Sequence, residues 1–423
     1  MRRYLAYQFP NEAKTYLSLI FASFVSVVAI TFFLDSSDYA HHQYKILTAQ
    51  SPYLNFILTP ITFALVIYFT KYYCHFVQGS GIPQLIAATD SRNKKIREQL
   101  LSFRIALGKI GFIFLAMLSG APIGIEGPSI HIGGSIFYGF NYFLKLKRKL
   151  LIHSLIAIGG SAGLIVAFNA PIAGFLFAYE EIGRKLKKQA LILIALVSAL
   201  VYYFAVLYRG SDAYLSSLSL ELFNLNLIWQ LIPLAIITGV LGGIFSRTTL
   251  YLINKLITHN KLKILITAFI FGFIIALFNY LSEGQISGSG REEVLLILSG
   301  ETLGVDFAIM KYFATLGSFA SAIPGGVFMP SISIGAGIGS ELATYYTQIN
   351  AQIIIIMTMI AYLSAVIRAP LTSVFVILEM TTTLQLLIPG LLVAFIANIV
   401  SKQIYKTPIY EALAENFLKL NNK

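Results

Sequence analysis

The sequence predicts an all-α, multi-pass membrane protein made of two repeated halves, and three observations carry that expectation. The first is composition: 57% of residues are hydrophobic, 12% are charged and the mean hydropathy is +0.76, too little charge to cover the surface of a soluble domain. The second is an internal repeat. GAPIGIEGPSIHIGGSI, Gly120 to Ile136, returns as AIPGGVFMPSISIGAGI, Ala322 to Ile338, and six of the nine positions of PSIHIGGSI (Pro128 to Ile136) are identical in PSISIGAGI (Pro330 to Ile338). A second pair follows in the same order: NAPIAGFLFAYEE (Asn169 to Glu181) and RAPLTSVFVILEM (Arg368 to Met380), at proline-to-proline spacings of 43 and 40 residues. The third is that some apolar segments are too short to be pairs of full spans, so the helices must be broken.

In chain order, Tyr16 to Leu34 is a first span. It follows Arg2 and Arg3 and lacks a small-residue cleavage site, which reads as a retained helix and not a signal peptide. A second span runs from about Phe56 to Tyr72. The polar connection between them, with His41 and His42, is expected to be an outside loop without chemistry. GSGIPQ, Gly79 to Gln84, is too rich in glycine and proline to continue a helix and is either an ordinary loop or a deliberate break.

Three basic clusters come next: Arg92, Lys94, Lys95 and Arg97; Lys145, Lys147, Arg148 and Lys149; Arg184, Lys185, Lys187 and Lys188. The positive-inside rule puts all three in the cytoplasm, so an even number of crossings separates neighbours. Residues 150 to 183 number only 34, whereas two full spans need roughly 40 apolar residues and a turn. Two short helices meeting part-way are expected there, broken around GGSAG (Gly159 to Gly163) or FNAP (Phe168 to Pro171). Residues 98 to 144 hold two passages with GAPIGIEGP at the turn.

A span near Ala190 to Tyr208 leads to a polar, serine-rich linker, Gly210 to Asn226. Apolar runs follow near Ile228 to Ile257 and Leu262 to Leu281, then a loop, Ser282 to Glu293. The second repeated unit occupies Ser318 to Leu387, a last span ends near Ile404, and the tail to Lys423 is too short for a regulatory domain. The division is a first membrane half at 1–209, a linker at 210–226 and a second half with its tail at 227–423.

Non-helical backbone at membrane depth is tolerated only where protein or a water-filled cavity satisfies it, and broken helices at matching places in two repeats point to a substrate site between them. GIEGP, GGVFMP and GSGIP each put glycine before proline at the start of an apolar run. Proline suits the first helical turn, and a helix N-terminus offers unpaired N–H groups and the positive dipole end to an anion. The alternative, glycines for close helix packing, is outweighed by the repeat and the short helices. Glu126 is the only acidic residue between Glu98 and Glu180, and a carboxylate in an apolar run marks a proton or ion pathway by default. At an anion site it would be a tethered competitor, removed by protonation. Glu181, beside the Arg184 cluster, passes protons inward or is a plain surface acid; position alone does not choose.

At these residues the sequence resembles the CLC family of chloride channels and chloride/proton antiporters, over Gly79 to Tyr410. The family's GSGIP stands at Gly79 to Pro83, its GxEGP at Gly124 to Pro128, its GxFxP at Gly326 to Pro330, and its late tyrosine at Tyr410. The resemblance implies two inverted repeats of tilted and broken helices, and a homodimer with one pathway per subunit. It implies a central chloride held by the hydroxyls of Ser80 and Tyr410 and by backbone amides near Ile125, Val327 and Phe328. Glu126 looks like the family's gating glutamate and Glu181 like the internal proton glutamate of its antiporters; Lys109 falls where many members carry lysine. Two positions depart from the pattern: Ile125 replaces the usual arginine beside the gate, and Gln84 replaces glutamate. Ser80 favours chloride over nitrate. Retention of Glu126 and Glu181 favours antiport, with a passive chloride channel of the same family as the alternative.

The implied ligands are chloride as cargo and protons as counter-substrate, with no cofactor or metal, in a cell (inner) membrane with both termini cytoplasmic. The +12 net charge lies in loops and follows membrane orientation, not nucleic acid. The single cysteine, Cys74, excludes a disulfide within the chain and a cysteine-rich metal site. An intramembrane enzyme would need H-E-x-x-H or a second intramembrane aspartate beside Glu126. GAGIG (Gly335 to Gly339) has no strand before it and reads as packing, and His131 and His153 belong to no metal-ligand pattern.

Overall fold

The computed structural model describes residues 12–420 apart from 92, 141–148, 184–185, 187, 216, 221 and 257–260. Among these the regular elements are helical, and the only extended pairing is a bridge between Gly124 and Gly326. Among the described residues, seven helical stretches are long and apolar enough to cross a membrane, with shorter apolar helices among them.

The first half runs α1 (Glu12–Gln50), α2 (Asn55–Tyr72), α3 (Ile82–Asp90), α4 (Lys94–Leu100), α5 (Phe103–Leu118), α6 (Glu126–Gly139), α7 (Lys149–Phe168), α8 (Pro171–Phe177) and α9 (Lys188–Arg209). The second runs α10 (Leu231–Leu256), α11 (Lys261–Leu281), α12 (Arg291–Leu298), α13 (Gly304–Ala320), α14 (Phe328–Ala343), α15 (Ala351–Ile367), α16 (Pro370–Met380) and α17 (Leu387–Ile404), with α18 (Ile409–Leu420) beyond the repeat. Packing repeats with sequence. In the first half α6 lies on α5 and α7, and α9 on α7 and α1; in the second α14 lies on α13 and α15, and α17 on α15 and α10. The halves touch through equivalent elements, α2 on α11, α6 on α14 and α8 on α16, as a two-fold relation between inverted repeats requires.

The first connection differs from expectation. Residues 35–50 are helical, so His41 and His42 lie on α1 and not in a loop. The segment contains neither glycine nor proline, and its polar groups find partners: His41 Nε2 is 2.9 Å from Ser287 Oγ, the Tyr44 hydroxyl donates to Asn55 Oδ1, and Lys45 pairs with Glu292 and Glu293. Side-chain satisfaction across the two halves lets a charged stretch stay helical.

Of the two candidate breaks in residues 150–183, the structure chooses FNAP. Asn169 takes a left-handed φ of 55° and Arg368, its counterpart, 65°. Each ends a helix just before an Ala-Pro pair, where proline cannot accept the helical ladder. GGSAG stays inside α7 because it is a packing seam: a Cβ on Gly159 or Gly163 would run into the α6 backbone at Gly133 and Ile130. GAGIG likewise lies in α14 against Met359 and Ile355 of α15.

The loop expected at Ser282 to Glu293 is shorter, since Glu292 and Glu293 belong to the first turn of α12. It ends in Gly288-Ser289-Gly290, a second copy of Gly79-Ser80-Gly81. Gly81 and Gly290 cap α3 and α12 at φ 103° and 87°, a conformation that glycine adopts without strain. A buried lysine secures each turn. Lys109 Nζ donates to the carbonyls of Val77 and Gly79, both at 2.8 Å, and Lys311 Nζ donates to those of Ile286, Ser287 and Gly288 at 2.8, 3.3 and 3.0 Å. Much of the three basic clusters, including Arg92, Lys145, Lys147, Arg148, Arg184, Lys185 and Lys187, lies outside the described residues.

Candidate anion site

Three helix starts meet where α6 crosses α14. Gly124 N–H donates to Gly326 O at 2.8 Å, Gly326 N–H donates back at 2.6 Å, and Gly325 N–H reaches Gly79 O at 3.3 Å. These bonds tie the turns before α6, α14 and α3 together. Side chains at this junction would hold the backbones apart: a Cβ on Gly127 would come within 2.9 Å of the Ser80 Cβ, and one on Gly326 within 3.2 Å of Gly127 N. Ile125 and Val327 are the residues immediately before α6 and α14, and Glu126 and Phe328 are the first helical ones. The turns of GSGIP, GIEGP and GGVFMP therefore meet, and the first amides of each helix have no partner within their own helix.

Glu126 is fully buried within this junction. Its carboxylate lies back over Gly124, in the space a Cβ there would fill. Met329 N–H donates to Oε2 at 3.5 Å, the amides of Glu126 and Ile125 also face the carboxylate, and Oε1 has no partner among the described residues. Amides that could receive an external anion thus surround the protein's own carboxylate.

Ser80 is fully buried, and its Oγ accepts the Ile82 N–H at 3.3 Å, which leaves the hydroxyl proton available to donate. Tyr410 arrives from outside the repeat, on α18, which packs against α3. Its ring stacks on Phe328 at 6.3 Å and an interplanar angle of 11°, and its buried hydroxyl has no hydrogen-bond partner among the described residues. Both Glu181 and Glu126 act on Tyr410 electrostatically. The tyrosine therefore lies within electrostatic reach of both acids singled out by sequence.

Glu181 is buried in a single π turn, Ala178–Ile182, that continues from α8; such turns recur at functional positions. Its neighbour belongs to a pair of contacts that sequence reading missed. Glu180 accepts from the N–H groups of Leu371 and Thr372 at 3.1 and 2.7 Å, and Glu379 accepts from those of Ile172 and Ala173 at 3.1 and 2.8 Å. Each half thus caps the short helix of the other with a carboxylate from the end of its own. The signal was present, since Glu180 and Glu379 share a position in the two repeats, whereas Glu181 faces Met380 in that alignment and has no counterpart. Gln84, the other departure, donates to the carbonyls of Phe76 and Gln78 at 3.1 and 2.7 Å. His131 bonds the Leu100 carbonyl at 2.9 Å.

Residues 62–402 match the family model for voltage-gated chloride channels. The chain belongs to the CLC family. Its fold is shared with a slow cyanobacterial chloride/proton antiporter: TM-score 0.85, 24% identity, 97% of this chain and 99% of that one covered. A eukaryotic CLC transporter gives a TM-score of 0.79 at 23% identity, over 95% of this chain and 74% of its own. A CLC-type fluoride/proton antiporter gives 0.77 at 20% identity, over 92% and 96%. With this membership and its apolar helices, the chain is an integral membrane protein of a transporter and channel family.

Proposed function

We propose that this protein exchanges chloride for protons across a membrane, with Glu126 as the group on which the two cargoes compete. The observation that carries the reading is where Glu126 rests: its carboxylate occupies the amide-lined junction of α6 and α14. When ionised it excludes an external anion; when protonated it loses its hold on those amides and the anion takes its place. The hydroxyls of Ser80 and Tyr410 and the amides around Ile125, Val327 and Phe328 would then hold chloride. Glu181, also buried, would pass protons between Glu126 and the other side. Two of the similar structures are of antiporters, one for chloride and one for fluoride; Ser80 in its GSGIP setting supports chloride for this chain. Each subunit of a homodimer would carry one pathway.

The test is made in liposomes with a chloride gradient, no initial proton gradient and a pH electrode. Uphill proton movement driven by chloride is expected. Glu126→Gln should leave a chloride flux that neither moves protons nor responds to pH. Chloride flux without proton movement in the unaltered protein would refute exchange and make it a passive channel.

A further inference from the structure

The linker between the halves reaches the site. The ring of Tyr214 packs edge-on to Phe168 with centroids 5.4 Å apart, and Phe168 packs on Phe328, the first residue of α14, at 6.2 Å. The linker is held there by bonds from Leu215 N–H to Met380 O and from Leu218 N–H to Thr381 O, at 3.1 and 3.2 Å. Tyr214 in turn carries Arg291. The guanidinium carbon stands 4.6 Å from the ring centroid, and Nε and Nη2 both donate to the Tyr214 carbonyl, at 3.0 and 2.8 Å. A guanidinium held by two nitrogens and by its face keeps a fixed direction and its full charge. Arg291 is also only half-buried.

Charges of both signs neighbour this cluster. Tyr214 is acted on by Glu126, Arg291, Asp38 and Arg209, and Glu126 by Asp38. Burial, then Glu126, push the Tyr214 phenol up, and Arg291 opposes them. Asp38, on α1, is exposed and is acted on by Arg291 and Arg209. Through Phe168 and Phe328, Tyr214 with Arg291 borders the start of α14, the helix whose Met329 amide faces Glu126. An anion arriving there meets two carboxylates, Asp38 and Glu126. The approach needs a compensating positive charge.

The repeat relates the turn before Arg291 to the turn at the site. Arg291 opens α12 just after Gly288-Ser289-Gly290, as Ile82 opens α3 after Gly79-Ser80-Gly81. A Cβ on Gly81 would strike His131 of α6, and one on Gly290 would strike Ser333 of α14, the same position in each repeat. The turn that carries Ser80 in the first half thus has its equivalent directly before Arg291 in the second.

We propose that Arg291, clamped on Tyr214, is the residue that captures anions at the Glu126-side mouth and directs them past Glu126. The inference rests on the chain being an anion pathway, whether exchanger or channel. The test measures, in liposomes, chloride flux against chloride concentration at that mouth. Arg291→Gln should raise the half-saturating concentration by on the order of threefold to tenfold and leave maximal flux within about twofold. Ile125 precedes Glu126, so adding Ile125→Arg to Arg291→Gln should restore capture, which repair of a merely structural defect would not do. Asp38→Asn should act with the opposite sign and lower the half-saturating concentration.

An unchanged half-saturating concentration in Arg291→Gln would overturn the inference, as would a rise that Ile125→Arg fails to reverse. If Arg291→Gln does not assemble, Asp38→Asn on the exposed surface of α1 decides the matter, and no shift there overturns the inference. Absence of anion flux in the unaltered protein would instead refute the pathway itself.

Discussion

Glu379→Gln should loosen the segment that carries Glu181 without touching any anion ligand. The Glu379 carboxylate accepts from the first free amides of α8, Ile172 N–H at 3.1 Å and Ala173 N–H at 2.8 Å, and α8 runs directly into the π turn of Glu181. A hydrogen bond to a charged acceptor contributes about 1.5–3 kcal/mol, and a charge at a helix N-terminus a further ~0.3–1 kcal/mol. Glutamine keeps one acceptor oxygen, so it forfeits one bond and the charge term. Discounting for a carboxylate that is only part-buried leaves about 2 kcal/mol, on the order of thirtyfold in the opening equilibrium. Hydrogen exchange of residues 171–182 in lipid nanodiscs measures it directly, and exchange there should accelerate by about that factor while α14 and α15 stay protected. Glu180→Gln should produce the mirror effect at the start of α16, reduced because the Thr372 hydroxyl also bonds this carboxylate. Unchanged protection at 171–182 would refute the reciprocal cap.

Glu181→Gln should abolish proton movement and spare chloride flux; undiminished proton flux in the liposome assay would move the inner proton role elsewhere. Gly124→Ala should displace the Glu126 carboxylate, because the new methyl falls where that carboxylate rests and also lies about 3.0 Å from the Pro330 ring. Its chloride flux should depend less on pH than the unaltered protein's, and an unaltered pH profile would show that the resting place is elsewhere. Ser80→Pro removes a hydroxyl at the junction and should raise nitrate relative to chloride; an unchanged anion ranking in flux measurements counts against Ser80 as a ligand. Gly163→Val should prevent assembly of α6 on α7, since the side chain would enter the backbone of Ile130 and Ser129, and normal yield and thermal stability would contradict the packing-seam account.

Much of the site could be read in the chain because its chemistry is local. A helix start after glycine, with proline in the first turn, is a property of consecutive residues, so GSGIP, GIEGP and GGVFMP could each be recognised alone. The repeat supplied the expectation that they meet. Glu126 stood out because a lone acid in an apolar run has few structural reasons to be there. Residues 35–50 were misread for the complementary reason. Their polarity resembles a loop when partners are invisible, and the partners, Ser287, Glu292 and Glu293, lie some 245 residues away. Tyr214 and Arg291 carried no local signal: one is a tyrosine in a polar linker, the other an arginine beside two glutamates.

Composition, span length and the duplicated motifs by themselves determined that this is a membrane protein of two halves, and which helix starts and which acids matter. Each of those follows from hydrophobicity or from backbone constraints within a few residues. Only the tertiary structure decided the choice of FNAP over GGSAG as the break, the exchange of caps between Glu180 and Glu379, the resting place of Glu126 and the seating of Arg291 on Tyr214. These depend on which orphan amide, carboxylate or glycine face the opposite half presents, and a linear chain does not show its contacts across a two-fold axis.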